Sequence, residues 1–196
     1  KKLGGAPYIL PDMVPFLSES GRIELKGKHK ILMVSSFAAD EPVQEVLTAM
    51  KDFINDEVYL YITGNYKKLD ERVRSTAPPN VQFTGFLDEQ DYINMLFSCD
   101  AIMVLTTASA CMLCGCYEAV SMRRPLITSD KDVLRDYFTD AVFVDNTVRG
   151  ISAGIRDIID NLDDYRIRIE SLRKKLIIHW EEMYARLEKR LLEVHS

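Results

Sequence analysis

Apolar and polar residues follow two alternating patterns along the chain. Six short runs are almost continuously apolar, which is typical of strands buried on both faces of a parallel sheet. These runs are 30–36, 58–64, 81–86, 101–107, 125–129 and 141–145. The segments between them carry apolar residues three or four positions apart, the spacing of one helix face. The alternation predicts an α/β fold: a Rossmann-like, doubly wound parallel sheet of about six strands with flanking helices.

Several residues predict where the flanking helices begin. Asp88 and Thr147 stand where helix N-caps are expected. Asp130 is expected to open a short helix, and Asp40-Glu41-Pro42 forms a further helix-start signal. Two more helices are expected, a polar one around 67–74 and one from about Met112 to Met122.

A single apolar stripe predicts a long C-terminal helix. Its members are three or four residues apart over roughly eight turns: Tyr165, Ile169, Leu172, Leu176, Trp180, Met183, Leu187 and Leu191. A small sheet is too short to cover this stripe. Either part of the helix rests on another domain or on a second copy of the chain as a homodimer, or the helix breaks near Ile178 and folds back.

These patterns divide the chain into three regions. Residues 1–28 contain Pro7, Pro11 and Pro15 without a clear period, so they are expected to form an extended interdomain linker or tether. Residues 29–162 form the Rossmann-like domain, and residues 163–196 form a C-terminal helical extension. The chain starts without Met, and we expect it to be part of a longer protein.

Composition limits the functions that are expected of this chain. The chain has 25 Lys and Arg against 30 Asp and Glu, a formal net charge of −5, and no basic cluster, which argues against a nucleic-acid partner. A phosphate site would have to act locally, through backbone N–H groups and one or two cations.

No apolar run reaches the ~20 residues of a transmembrane helix. We expect a cytoplasmic protein, with peripheral contact at the inner membrane face as an option.

The four cysteines allow three interpretations. Cys111, Cys114 and Cys116 lie within six residues, and Cys99 precedes them. The C-x2-C-x-C spacing is not that of a zinc site, and no His stands nearby, so no metal is predicted. A reactive thiol at a helix start is a second interpretation. The default is small, buried packing residues in a reducing compartment.

The turn after the fourth strand is the main candidate site, because ligands of such sheets lie beyond the carboxyl ends of the strands. Met112, Leu113, Cys114 and Gly115 could offer backbone N–H groups and an apolar wall to a diphosphate. The Glu118 carboxylate could accept two hydrogen bonds from a vicinal diol such as a ribose. Alternatively, Glu118 only stabilises the helix dipole.

Three other loops follow strands. The "SSFAADEP" loop lacks the glycine patterns of dinucleotide-binding proteins and P-loop ATPases, which counts against both classes. Gly64 with Lys67 and Lys68 forms either a phosphate contact or a solvated turn. Gly85, Phe86 and Leu87 offer backbone and an aromatic edge to a flat base, unless Gly85 only ends a strand.

A family resemblance combines these pieces. "NVQFTGFLDEQDYINMLFSCDAIMVLTT", "CGCYEAVSMRRPLITSD" and "YFTDAVFVDNT" together resemble the C-terminal domain of retaining, group 1 (family 4) glycosyltransferases of the GT-B fold. The residues in register with the family pattern are Asn80, Val81, Gly85, Asp100, Gly115, Glu118, Ala119, Pro125, Ile127 and Asp130. "SSFAADEP" is similar to the start of this domain in a bacterial subgroup associated with surface polysaccharide.

The resemblance implies a domain that binds a nucleotide-sugar donor such as a UDP- or GDP-sugar. Glu118 would bind the donor ribose, 112–115 the diphosphate, and 85–87 the base. Ser36, Phe37, Gly64 and Lys67 would complete the donor site. The resemblance implies no metal and no cofactor. Catalysis would need an N-terminal acceptor domain, so this chain alone is expected to be inactive, and its catalytic residues are not identified.

Three departures from the family pattern leave other functions open. Ala110 stands where the family usually has an acidic residue, eight positions before Glu118. Ser35, Ser36 and Phe37 stand where an Arg and a Lys usually contact the phosphates, and the next cation is Lys51. The acceptor domain is missing. The alternatives are a degenerate, non-catalytic nucleotide-binding or scaffold module, and half of a sugar-nucleotide epimerase.

Overall fold

One parallel sheet organises the protein. The computed structural model describes residues 7–19, 21–55 and 57–194. Its six strands are β1 (His29–Val34), β2 (Val58–Thr63), β3 (Val81–Gly85), β4 (Ala101–Val104), β5 (Leu126–Ser129) and β6 (Val142–Val144). They pair in the order β3-β2-β1-β4-β5-β6, and every pair is parallel. The predicted doubly wound parallel sheet is confirmed, and its strand order reverses between β1 and β4.

Helices follow the strands as the alternation predicted. They are α1 (Val43–Ala49), α2 (Glu71–Arg74), α3 (Glu89–Ser98), α4 (Cys114–Ser121), α5 (Asp132–Tyr137), α6 (Val148–Asp160) and α7 (Leu162–Val194). Two short 3-10 turns occupy Met50–Phe53 and Tyr66–Lys68. Within the described ranges, no helix is both long enough and apolar enough to cross a membrane.

Successive residues of each strand enter different core layers, because side chains alternate across a sheet. In β1, Ile31 and Met33 pack in the layer covered by α1 and α6, whereas Leu32 packs in the other layer. That second layer is formed with α3, α4, α5 and α7. Both faces are therefore covered, which explains why most strand positions are apolar.

Two of the predicted helix caps are confirmed. The Asp88 carboxylate accepts a hydrogen bond from the N–H of Asp91 at 2.9 Å, and Thr147 Oγ1 accepts from the N–H of Gly150 at 3.0 Å. The cap predicted at Asp130 is wrong. Its own N–H donates to Val144 at 2.7 Å, which keeps Asp130 at the sheet edge, and α5 begins two residues later.

The polar helix predicted around 67–74 is also wrong as a single element. Leu69 has an extended backbone, with φ −77° and ψ 136°, and it separates the 3-10 turn at Tyr66–Lys68 from the one-turn helix α2. Asp70 caps α2 by accepting from the N–H of Arg72 at 2.8 Å. Asp70 therefore begins a new helix within the stretch that the polar pattern had joined.

The C-terminal helix α7 is continuous, so the alternative of a break near Ile178 is wrong. Its first half buries Ile169, Leu172 and Leu176 against the sheet layer. Its second half meets the N-terminal segment of the chain: Trp180 Nε1 donates to the carbonyl of Pro11 at 3.0 Å. Whether a homodimer forms through α7 stays a prediction.

The N-terminal segment is extended and packed onto the domain. Its described residues form no helix or strand before His29. Val14 is only 6% exposed, the carbonyl of Pro15 accepts from Ser121 Oγ at 2.6 Å, and Tyr8 donates to the carbonyl of Met183 at 2.7 Å. Residues 1–6, 20, 195 and 196 of the predicted linker and helical extension lie outside the described residues. The three-region division of the chain stays a prediction.

Asn80 provides a test of this packing. Its buried side-chain amide donates to the carbonyls of Met50 and Val58, at 3.0 and 3.1 Å, and so ties the end of one crossover to β2. Asn80→Ala leaves these carbonyls without that donor and should lower the free energy of unfolding by about 1–3 kcal/mol. Urea denaturation measures the change. Asn55→Ala, at an exposed position, should cost less than about 0.5 kcal/mol, and equal losses for the two variants would contradict the assignment.

Candidate functional site

The loops after β1 and β4 meet at the point where the strand order reverses. The Asp40 carboxylate accepts from Thr106 Oγ1 at 2.5 Å, and the Asp40 carbonyl accepts from the N–H of Thr107 at 2.6 Å. Asp40 therefore joins the two loops across the crevice instead of capping a helix. A helix does begin directly after Asp40-Glu41-Pro42, as that signal predicted, but α1 starts at Val43 without a side-chain cap.

Glu41 fills the loop after β1. Its carboxylate accepts hydrogen bonds from the N–H of Ser36 at 2.9 Å and the N–H of Phe37 at 3.0 Å. It also accepts from Ser36 Oγ at 2.7 Å and from Ser35 Oγ. Of the two residues predicted to bind a donor here, Ser36 is exposed and Phe37 is buried against Phe83. Both already direct their amides toward an internal carboxylate.

Position 64 needs a glycine because the backbone at the end of β1 comes close to it. Its φ is +110°, a backbone region that favours glycine, and an added Cβ would lie 2.0 Å from the carbonyl oxygen of Ser35. Its N–H donates to Gly85 at 2.9 Å. Of the two following lysines, Lys67 is exposed, and it is Lys68 whose ammonium contacts the β1 loop, at 3.1 Å from the carbonyl of Ser36.

A cavity of about 400 Å³ opens beside these loops at the carboxyl ends of β1 and β2. Residues from three strand ends and from α3 line it, among them Val34, Ser35, Gly64, Phe86, Leu87 and Tyr92. Phe86 is 87% exposed, so its ring lies open to solvent at this edge. The structure thus brings together three of the predicted residues, Gly64, Phe86 and Leu87, around one hollow.

Glu118 is connected to this hollow through Tyr92. The Tyr92 hydroxyl donates a hydrogen bond to the Glu118 carboxylate, and Tyr92 itself lines the cavity. Burial raises the pKa of the Glu118 carboxyl, and the hydrogen bond from Tyr92 partly offsets that rise. Burial and the neighbouring carboxylate raise the pKa of Tyr92 as well, which keeps its proton in place. Glu118 lies beyond the first turn of α4, which holds no acidic residue, so the helix-dipole interpretation has little support.

Helix α4 starts two residues later than predicted. Leu113 is extended, with φ −110° and ψ 120°, and no side chain caps the helix. A Cβ added at Gly115 would lie 3.0 Å from Val104 Cγ2 and 3.2 Å from Val34 Cβ. Gly115 therefore permits close packing of the helix start on β1 and β4. Met112 lines a different groove, which it shares with Tyr117 and His179.

The cysteines divide into two kinds. Cys99 and Cys116 are buried, and burial raises the pKa of each thiol to about 12, which opposes a thiolate role. Cys114 is exposed at the first position of α4, so the packing interpretation does not extend to it. Within residues 7–19, 21–55 and 57–194, no three His, Cys, Asp or Glu side chains are grouped to hold a metal ion.

Sequence reasoning missed two residues of this site, Glu41 and Tyr92. Tyr92 is partly buried on the apolar face of α3, where a tyrosine hydroxyl needs a partner, and that need was the available signal. No sequence pattern pointed to Glu41, although its partners lie in the same loop, four to six positions away. Lys68 was expected to contact phosphate together with Gly64 and Lys67, and of the two lysines it is the one that contacts the β1 loop.

Comparison with known proteins identifies a family. The model of the glycosyl transferases group 1 family matches residues 19–175. No curated protein matches the chain in sequence.

Solved structures resemble the fold at low sequence identity. A sucrose-phosphate synthase from Thermosynechococcus elongatus is 16% identical with a TM-score of 0.69, over 86% of this chain and 46% of that one. Anabaena HepE, in complex with UDP and glucose, is 10% identical with a TM-score of 0.70, over 84% and 49%. The catalytic domain of cholesterol-α-glucosyltransferase from Helicobacter pylori is 16% identical with a TM-score of 0.63, over 77% and 98%. The chain spans about half the length of the first two proteins.

The half-buried Glu118 carboxyl predicts a specific pH dependence of stability. Because its pKa in the folded protein is raised above the ordinary value of 4.5, the folded state holds this proton more tightly than the unfolded chain does. The contribution of Glu118 to stability is therefore complete below that value and is lost as pH rises through the folded pKa. Glu118→Gln keeps an oxygen for Tyr92 and removes the titration. Urea denaturation from acidic to neutral pH should show the wild type losing stability relative to this variant.

An exposed glutamate supplies the control for this measurement. Glu181 lies on the exposed face of α7, so Glu181→Gln should leave the pH dependence of unfolding as in the wild type. If the stabilities of wild type and Glu118→Gln change in parallel with pH, partial burial does not raise the pKa of Glu118 as described.

Proposed function

The chain belongs to the glycosyl transferases group 1 family, and we propose that it is the donor-binding half of a two-domain, GT-B glycosyltransferase that takes a UDP- or GDP-sugar. The observation that carries the proposal is the cavity at the carboxyl edge of the sheet, bordered by an exposed aromatic ring and linked to a half-buried carboxylate. A likeness to HepE, whose structure contains UDP and glucose, supports the same class of ligand.

The base is proposed to stack on Phe86. The ring is 87% exposed at the edge of the cavity, and a flat base would cover apolar surface that now faces water. The backbone of Gly85 and Leu87 lies beside it and can hydrogen-bond the edge of the base. Titrations with UDP and GDP distinguish uracil from guanine as the base.

The ribose is proposed to bind Glu118. A carboxylate can accept two hydrogen bonds from vicinal hydroxyls, and one of its oxygens already accepts from Tyr92. Tyr92 would orient the carboxylate toward the cavity. A ligand hydroxyl that reaches Glu118 would also offset part of the cost of burying its charge, which is expressed in the raised pKa.

The diphosphate is proposed to lie between the start of α4 and the β1 loop. The first turn of α4 has no side-chain cap, and helix N-termini favour anions through their N–H groups and dipole. The Lys68 ammonium stands at the β1 loop, 3.1 Å from Ser36. These groups could stabilise the departing diphosphate without a metal ion or other cofactor.

Transfer of the sugar would require an acceptor domain. The chain spans about half the length of two similar structures, which supports an additional domain in the whole enzyme. We propose retaining, family 4 chemistry in bacterial polysaccharide synthesis at the cytoplasmic side, with this half inactive alone. The acceptor and its binding residues belong to the part that this chain does not contain.

A second candidate is a non-catalytic nucleotide-binding module. Ala110 replaces an acid expected near the donor sugar, and the internal carboxylate of Glu41 fills the loop where the family pattern has cations. The missing acid would weaken catalysis more than nucleotide binding, whereas the Glu41 carboxylate would oppose the diphosphate in either case. Product analysis on the enzyme with its acceptor domain separates the two candidates.

Calorimetric titration with UDP and GDP tests the base contact. Phe86→Ala should weaken binding of whichever nucleotide binds by about 1–3 kcal/mol, the usual contribution of base stacking. Phe16 is equally exposed, at 87%, on the N-terminal segment, so Phe16→Ala is a matched control that should leave affinity unchanged. Equal effects of the two substitutions would contradict a base site at Phe86.

The same titration tests the ribose contact. Glu118→Gln removes the charge while preserving the shape of the side chain, and should weaken nucleotide binding by about 1–3 kcal/mol. The melting temperature of Glu118→Gln at neutral pH should not fall, because the substitution removes a carboxylate charge that partial burial disfavours. Unaltered affinity in a folded variant would rule out Glu118 as the ribose ligand, and the absence of heat with either nucleotide would leave only a fold resemblance.

A further inference from the structure

The loop after β1 is built like an anion receptor. Two backbone N–H groups, from Ser36 and Phe37, and two hydroxyls, from Ser35 and Ser36, converge on one carboxylate. Consecutive N–H groups that point to one centre form the concave arrangement that binds phosphates and other oxyanions in many proteins. The anion that they hold here is the side chain of Glu41, only four residues after Phe37.

The geometry of the loop favours this convergence. Phe37 has a positive φ of 55°, an uncommon backbone region for a residue other than glycine. Gly64 lets the next strand approach the carbonyl of Ser35, and Lys68 contacts the carbonyl of Ser36, so neighbouring elements hold the loop in place. The donors therefore do not depend on Glu41 alone for their arrangement.

The receptor also borders the proposed donor site. Ser35, which donates to Glu41, lines the same cavity as Phe86 and Tyr92. A diphosphate that extends from a nucleoside in this cavity would meet the loop. There it would encounter the Glu41 carboxylate, which already accepts hydrogen bonds from these donors.

We propose that Glu41 is an internal competitor for the diphosphate of the nucleotide donor, and this inference rests on the proposed function. In the free protein the carboxylate satisfies the Ser36 and Phe37 N–H groups. In the complex it leaves the loop, and phosphate oxygens accept the same hydrogen bonds. The exchange conserves the number of hydrogen bonds but opposes binding by the repulsion between the displaced carboxylate and the diphosphate.

Glu41→Gln tests the competition by calorimetry. The amide retains the shape of the side chain but has one acceptor oxygen and no charge, so it fills the receptor poorly. We expect UDP or GDP to bind about tenfold more tightly than to the wild type, the size of effect expected for one charge-assisted hydrogen bond. The matching nucleoside, uridine or guanosine, should bind with unchanged affinity because it carries no phosphate. Pyrophosphate should gain affinity like the nucleotide, which shows whether the loop recognises the diphosphate itself.

Two further variants keep the test decisive. Glu181→Gln removes the same charge from the exposed face of α7 and should leave nucleotide affinity unchanged. If Glu41→Gln does not fold, Glu41→Asp keeps the charge on a side chain one methylene shorter, and should give a smaller gain for both the nucleotide and pyrophosphate.

The outcomes distinguish a failure of this inference from a failure of the proposed function. If only nucleotide and pyrophosphate gain affinity in Glu41→Gln, the competition is supported. If wild type and the Glu41 variants bind the nucleotide equally well, the competition is overturned and the donor site is unaffected. A gain in affinity that the nucleoside shares has the same meaning. If no nucleotide binds to the wild type or to any variant, the proposed function fails and the competition fails with it.

Discussion

Parallel pairing of β1 with both of its neighbours is the constraint on which the rest of the structure depends. Ile31 lies opposite Leu60 of β2 on one side and Ala101 of β4 on the other. Because the strands run in one direction, the loops that follow β1, β2 and β4 all emerge at the same edge. Loops separated by tens of residues in sequence therefore share one crevice, and the helices on both faces hold that edge in place.

At this edge, internal hydrogen bonds satisfy carboxylates that a ligand could also use. Asp40 holds Thr106, Glu41 holds the β1 loop, and Glu118 accepts from Tyr92. Buried charges need such partners. Under the proposed function, binding of an anionic sugar donor to a chain with a net charge of −5 would therefore be an exchange of partners and not a simple addition. The arrangement would stabilise the crevice of the free protein and lower its affinity for the donor.

The sequence predicted the fold well and the site only in part. Continuous apolar strands and caps such as Asp88 reflect local pattern and local chemistry, which a sequence carries directly. Asp130 failed as a cap because a long-range backbone hydrogen bond to β6 holds it in the sheet. Glycines and exposed aromatics at strand ends could be predicted, since their conformations are local. The Tyr92–Glu118 hydrogen bond could not, because it depends on how the fold places α3 beside α4. The Glu41 contacts lie within one loop, but no sequence pattern indicates a loop that closes around its own carboxylate.

The most direct test of the proposed donor site is a crystal structure of the protein with UDP or GDP bound. The proposal predicts a base against the Phe86 ring, ribose hydroxyls within hydrogen-bond distance of the Glu118 carboxylate, and the diphosphate at the start of α4 and the β1 loop. A nucleotide found elsewhere, for example in the groove lined by Met112, Tyr117 and His179, with Glu118 still held only by Tyr92, would contradict it.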